Sequence, residues 1–203
     1  MGYVPNINHH GGNLTGVSLF NNSLGAKQLE LLHQMVRANS IIAVLTNPQN
    51  PSTDLHVKDY EEAARKLGHE IRTASASNGA DLAAAFADLA QHQITSVVVN
   101  DDAFFNAQQA RIAELAARHS IAAITANREH VVAGALMSYG TNLPEAYRQC
   151  CIYAGKILKG EKPGDLPIIQ PTKFEFVINM KSASSLGLSV PPALLVFADE
   201  IIE

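Results

Sequence analysis

By type and spacing, the residues of this chain best suited to chemistry are the run Asn100, Asp101, Asp102, Ala103, Phe104 and Phe105. Two carboxylates follow an apolar, β-branched segment and meet two aromatic rings. A carboxylate next to a ring can hold an ammonium group against a flat apolar wall. The plainer alternative is that one aspartate starts a turn and both rings pack inward. Asp101 and Asp102 could also grip a divalent metal in an enzyme. That needs a third acid at a neighbouring strand end and a phosphate-binding Lys or Thr; Thr46 is available for the second role, but no acid is evident beside it.

Other candidates are weaker. Arg128 and Glu129 open a short helical segment, where the guanidinium could clamp a carboxylate in bidentate fashion; the plain reading is a surface ion pair. Tyr139 could stack on a ligand ring or serve as a hinge residue. Asn47 could offer its amide to a ligand, although Asn before Pro48 is also an ordinary turn choice. The pair His9 and His10 has no third ligand at zinc-like spacing. Gly11 and Gly12 are not followed by the lysine and hydroxyl of a phosphate loop, and no Gly-x-Ser-x-Gly elbow occurs. The reading therefore includes no catalytic residue, no metal and no cofactor.

The elements that would position these residues alternate along the chain. Ser40–Thr46, Ile71–Ala74, Ser96–Asn100, Ile121–Thr125 and Leu136–Ser138 read as buried strands. Between them, helices are predicted over Val57–Leu67, Asp81–His92, Ala107–His119 and Glu129–Ala133, with Gly68 closing the first and Asn106 capping the third. Apolar strands joined by helices predict an α/β fold, a three-layer parallel sheet with helices on both faces. In such sheets ligands bind beyond the carboxyl ends of the strands. That rule gathers Thr46 and Asn47, Ser75–Ser77, Asn100–Phe105 and Ala126–Glu129 on one edge, with Tyr139 beside them.

The last third changes character. Asn142 caps a helix running to about Lys159, whose apolar stripe is Tyr147, Cys150, Cys151, Ala154, Ile157 and Leu158. A proline-marked extended stretch, Pro163–Pro171, follows. Phe174–Asn179 reads as a strand, Lys181–Leu186 as a helix and Leu194–Ile202 as a closing amphipathic segment. The adjacent cysteines point about 100° apart on a helix, which disfavours a disulfide between them.

Composition narrows the function. With 15 basic and 19 acidic residues the net charge is -4, and no basic face is available to neutralise nucleic-acid phosphates. No window offers the roughly 18 consecutive apolar residues of a membrane helix. Met1–Gly12 lacks the basic and apolar regions of a signal peptide.

Seven segments, in order, resemble one known family: GGNLTGVS (Gly11–Ser18), LGAKQLELL (Leu24–Leu32), IAVLTNPQNP (Ile42–Pro51), NDDAFFN (Asn100–Asn106), GALMSYG (Gly134–Gly140), the run Tyr153–Asn179, and SSLGLSVPP (Ser184–Pro192). They look like the ABC transporter substrate-binding proteins, including the tryptophan- and tyrosine-binding types, with the type I periplasmic binding protein fold. An arginine-proline pair often precedes GGN in that family, where this chain has His9-His10. The resemblance implies two lobes joined by crossovers, a ligand between them, and a chain that begins near the first crossover. On that expectation residues 1–18 are a remnant of the first lobe, 19–140 the ligand-binding lobe, 141–173 a helix and return crossover belonging to the missing lobe, and 174–203 the completion of the α/β lobe. It also implies a small-molecule ligand of the aromatic amino acid type, an importer permease as partner, and an extracytoplasmic location for the full-length protein. Two alternatives remain: a ligand-sensing or interaction module on the same fold, and a homodimer through the helix 143–159.

Overall fold

The structure is a computed structural model that describes residues 12–19, 24–37 and 40–203. His9 and His10 lie outside the described residues. Two compact units divide the chain: Met1–Phe20 with Thr141–Phe174, and Asn21–Gly140 with Glu175–Glu203.

The larger unit is built on a seven-stranded sheet. Its strands are β1 (Ile41–Thr46), β2 (Glu70–Ser75), β3 (Ser96–Val99), β4 (Ala122–Thr125), β5 (Met137–Thr141), β6 (Phe174–Asn179) and β7 (Glu200–Ile202), in the order β2-β1-β3-β4-β5-β6-β7. β1 through β5 run parallel, and β7 is parallel to β6. Backbone bonds from Asn142 N to Lys173 O and from Asn179 N to Leu136 O set the end of β6 beside the start of β5. β6 and β7 therefore run opposite to the other five. The sheet is thus mostly parallel with helices on both faces, as the alternating strands and helices predicted, and the two strands that follow the 143–158 helix are the antiparallel exception.

Alternation along β1 shows how the layers form. Ile42 and Val44 face one core, with Leu29 and Leu32 of α1 (Gly25–His33), Tyr60 of α2 (Thr53–Lys66), Ala183 of α8 (Met180–Ser185) and Leu194 of α9 (Pro192–Phe197). Ala43 and Leu45 face the other, with Phe86 of α3 (Gly79–Gln91), Phe105 of α4 (Ala103–Ala107) and Ile112 of α5 (Gln109–Arg118). Successive strand residues point to opposite faces, so one strand serves both cores. Phe86, Phe105 and Phe176 are wholly buried, and each such ring stabilises the fold by roughly 1.5–3 kcal/mol.

Local signals set the helix limits. The Asn78 side chain accepts from Ala80 N and Asp81 N to start α3, and Gly68 adopts φ 76° just past α2, a conformation a side chain would strain. α2 begins at Thr53 rather than Val57, because the Asn47–Ser52 turns deliver the chain into the helix directly. Asn106 does not cap α5, which starts after Gln108 with no side-chain cap; its amide is engaged elsewhere. The closing segment is not one amphipathic piece but α9 followed by β7. Gly140 is a required glycine: a Cβ there would sit 1.8 Å from the Ala126 carbonyl oxygen.

In the smaller unit, α7 (Leu143–Leu158) is capped by Asn142, whose side chain accepts from Glu145 N at 3.0 Å. Ala146 and Tyr153 are its buried residues, and the Tyr153 hydroxyl donates to Pro167 O at 2.8 Å. Val17 bridges Ile169 in parallel, and the Thr15 hydroxyl donates to Leu166 O. A 3-10 turn, Pro163–Asp165, interrupts the stretch expected to be extended. The apolar stripe of α7 is exposed, Tyr147 by 67% and Leu158 by 88%.

Candidate functional site

The ends of β1, β3 and β4 each release a polar residue at the same edge. β1 is followed by buried Asn47, β3 by buried Asn100 and then Asp101 and Asp102, and β4 by Ala126 and buried Asn127. Parallel pairing in register brings these three ends together.

The two aspartates differ in what they do. Asp102 caps α4: its Oδ1 accepts from Phe104 N at 2.9 Å and from Asn47 Nδ2 at 3.0 Å, and its Oδ2 accepts from Asn50 Nδ2 at 2.9 Å. Asp102 thus ties the loop after β1 to the loop after β3. Asn47 is used at both ends of its amide, since its Oδ1 also accepts from Gln49 N. Asn47 and Asp102 are builders of the edge.

Asp101 is half-buried, and its Oδ1 accepts from Asn106 Nδ2 at 2.9 Å and Asn127 Nδ2 at 3.0 Å. Asn127 also donates to Asn106 Oδ1 at 2.8 Å, and His130 Nε2 lies 3.2 Å from that same oxygen. His130 stands on α6 (Arg128–Val132) and is almost wholly buried. Burial pulls its imidazole down to about 4, against an upward pull from Asp101. The buried Tyr60 phenol is pushed well up, by burial first and then by Asp101 and Asp59. The Asp101 charge is therefore felt by two buried rings. Asn100 is buried, its Nδ2 3.2 Å from His56 Nδ1, and its Oδ1 has no partner among the described residues.

The remaining candidates scatter. Phe105 is wholly buried in the core, whereas Phe104 is half-buried with its ring 5.4 Å from that of Phe105. Arg128 holds Glu200 through Nε and Nη2, both at 2.6 Å. The bidentate clamp expected for a ligand is engaged by the protein's own carboxylate, which lowers the Glu200 pKa and raises that of Arg128. Glu129 is exposed. Nearby Glu175 is raised, by burial first and then in part by Glu200 and Asp199. The Tyr139 ring stands edge-on to Phe176 at 6.4 Å and packs on the core.

Sequence reasoning missed His56, Asn50 and His130 as members of this cluster and took Asn106 for a helix cap. Asn127 lies within the Ala126–Glu129 stretch that the strand-end rule placed on this edge, although it was not singled out as a ligand-binding residue. The metal-enzyme alternative needs a third acid. Among the described residues no group of three or more His, Cys, Asp or Glu could hold a metal ion.

A seven-stranded, mostly parallel sheet with helices on both faces, carrying a polar cluster at its strand ends, is the architecture of periplasmic binding proteins. Two solved structures share it closely. One is an ABC domain in complex with L-Trp from Streptococcus pneumoniae, at TM-score 0.86 and 22% identity over 98% of this chain and 66% of that one. The other is a conserved domain protein from Vibrio cholerae, at TM-score 0.84 and 24% identity, also over 98% of this chain and 66% of that one. A periplasmic ribose ABC transporter structure from Conexibacter woesei matches at TM-score 0.57 and 14% identity over 85% of this chain and 61% of that one. These likenesses show the fold. The chain belongs to the ABC transporter substrate binding protein family, whose model matches residues 1–202. A tyrosine-binding protein of Clostridioides difficile is 22% identical over 92% of this chain. The chain spans about half of that relative, 53%.

Proposed function

We propose that this chain is the ligand-gripping lobe of a solute-binding component of an ABC importer, and that it binds without catalysing a reaction. The ligand is a small molecule carrying an ammonium group and an aromatic ring, of the aromatic amino acid class. Asp101 meets the ammonium and Phe104 offers the ring wall, with Asn106 and Asn127 holding the carboxylate in place. The observation that carries this reading is the convergence of two amide donors on one Asp101 oxygen at the strand-end edge. A relative named for tyrosine and a neighbour solved with L-Trp support the ligand class. In the whole protein, closure of a second lobe shifts an open-closed equilibrium, and the permease recognises the closed form outside the cytoplasm.

The test is a titration of the isotope-labelled chain with L-tyrosine, L-tryptophan and L-phenylalanine, followed by amide NMR. Because one lobe supplies part of the contacts, weak binding is expected, with shifts confined to Asp101, Phe104, Asn106 and Asn127. Shifts elsewhere, or none with any of the three, overturn the reading.

Association through α7 is a second reading, favoured by the exposure of Tyr147, Cys150, Cys151, Ala154 and Leu158 along one helix face. An apolar stripe of that kind marks a contact surface, and we propose that this chain on its own forms a homodimer there. Sedimentation is expected to show concentration-dependent self-association that Leu158→Lys removes; a monomer at all concentrations overturns it.

A further inference from the structure

We propose that His130 is a positioning residue of the binding edge, whose imidazole fixes the Asp101 carboxylate by acting through the Asn106 amide. The proposal rests on the reading of Asp101 as the ligand's anion.

The bonding logic runs outward from the carboxylate. An ionised carboxylate only accepts, so Asn106 and Asn127 must both turn their NH2 groups toward Asp101. The Asn106 carbonyl oxygen is thereby turned to His130, 3.2 Å from Nε2, and it too can only accept. His130 is therefore the Nε2–H tautomer and donates to Asn106. Asp101 dictates the orientation of the asparagine, and the asparagine dictates the tautomer of the histidine.

Two features argue against His130 as mere filling. Its Nδ1 is buried with no partner among the described residues, and an unmatched buried nitrogen costs about 1–3 kcal/mol. A phenylalanine or leucine would fill the space without that cost. Asn127 stands at the N-cap of α6 but makes no side-chain cap bond there, whereas Asn78, Asn142 and Asn179 all cap the helices they precede. Its Nδ2 donates to both Asp101 and Asn106, the two residues that His130 is linked to. Burial keeps the imidazole neutral through the physiological range, which maintains the single-donor state the network requires. Four elements thus converge on one carboxylate: the ends of β3 and β4, with α4 and α6.

The experiment is nitrogen NMR on the chain as it stands, with the variants His130→Gln, His130→Phe and Asn106→Ala. The wild-type His130 is expected to show the signature of an Nε2–H imidazole. His130→Gln, which keeps a donor, retains the dispersed side-chain amide signals of Asn106 and Asn127. His130→Phe moves them to the positions of free amides and weakens L-tyrosine or L-tryptophan binding about tenfold relative to the Gln variant. Asn106→Ala, at an exposed position, shifts the Asn127 amide and exposes the His130 Nε2 proton to fast exchange, so the test does not depend on the Phe variant folding. An Nδ1–H tautomer, or Asn127 signals unmoved in Asn106→Ala, overturns the proposal. If no ligand perturbs the wild-type spectrum, the reading of Asp101 as a binding group fails, while the tautomer and amide signals still decide what His130 does.

Discussion

Asn127 donates to the Asp101 carboxylate at 3.0 Å, and the helix it precedes begins without a side-chain cap. An asparagine at an N-cap ordinarily stabilises its helix by about 1 kcal/mol. Here the cap bond is absent, while the amide nitrogen of the same side chain holds a charge beyond the end of a neighbouring strand.

Asp101→Asn should separate binding from folding. The variant keeps the shape but loses the charge proposed to meet the ligand. Ligand affinity is expected to fall about tenfold to a hundredfold, the worth of a charge-assisted hydrogen bond. Calorimetry on the variant checks the affinity, and thermal unfolding should show only a small loss.

Acid should destabilise the larger unit through His130. Its pKa is about 4 in the folded chain and near 6.5 when unfolded. Between those values the unfolded chain binds a proton that the folded one does not, so stability falls as pH falls through this window. The full contribution is on the order of 3 kcal/mol. Urea titrations of wild type and His130→Phe at pH 7 and pH 4 should show the larger loss in the wild type, the lowered carboxylates Glu114 and Glu200 contributing equally to both.

Gly140→Ala should be severely destabilising. The added Cβ would lie 1.8 Å from a backbone oxygen, Ala126 O, and a backbone atom cannot rotate away as a side chain can. Overpacking of buried sites costs about 1–3 kcal/mol, and this clash belongs at or above the upper end. Chemical denaturation should report it, and Ser96 and Ser138 in the same sheet offer milder alanine controls.

Arg128→Ala should leave binding nearly intact. Its guanidinium is committed to Glu200, and both groups are more than a third exposed. A screened pair of this kind is worth up to about 1 kcal/mol. Ligand affinity within about twofold of wild type is expected by calorimetry; a loss of tenfold or more would return Arg128 to the role of ligand clamp.

Much of the fold was legible because it depends on local patterns. The alternation of Ile42 and Val44 against Ala43 and Leu45 is compatible with a strand buried on both faces. Gly68 marked a helix end, and the strand-end rule gathered residues that form the polar cluster around Asp101. Pairings between distant segments were not legible. Glu200 takes Arg128 from 72 positions away, and no local signal announces it. Asn106 read as a helix cap because capping is judged over three or four residues, whereas its partners at positions 101, 127 and 130 meet it only after the sheet forms. Phe104 and Phe105 are alike in sequence and differ only in which way α4 turns them.

The larger unit is stitched from two stretches of chain, Asn21–Gly140 and Glu175–Glu203, and this bears on how the protein is made. When β5 leaves the ribosome, its free edge and the apolar bed of Phe176 still await β6. Closure of that edge must wait for β6, which begins at Phe174, after the Leu143–Leu158 helix and the Pro163–Asp165 turn have been made. Through that interval the nascent chain presents an unpaired, sticky strand. Holdase chaperones would act in that interval, and a ribosome stalled before Phe174 would release a chain that cannot close its own sheet.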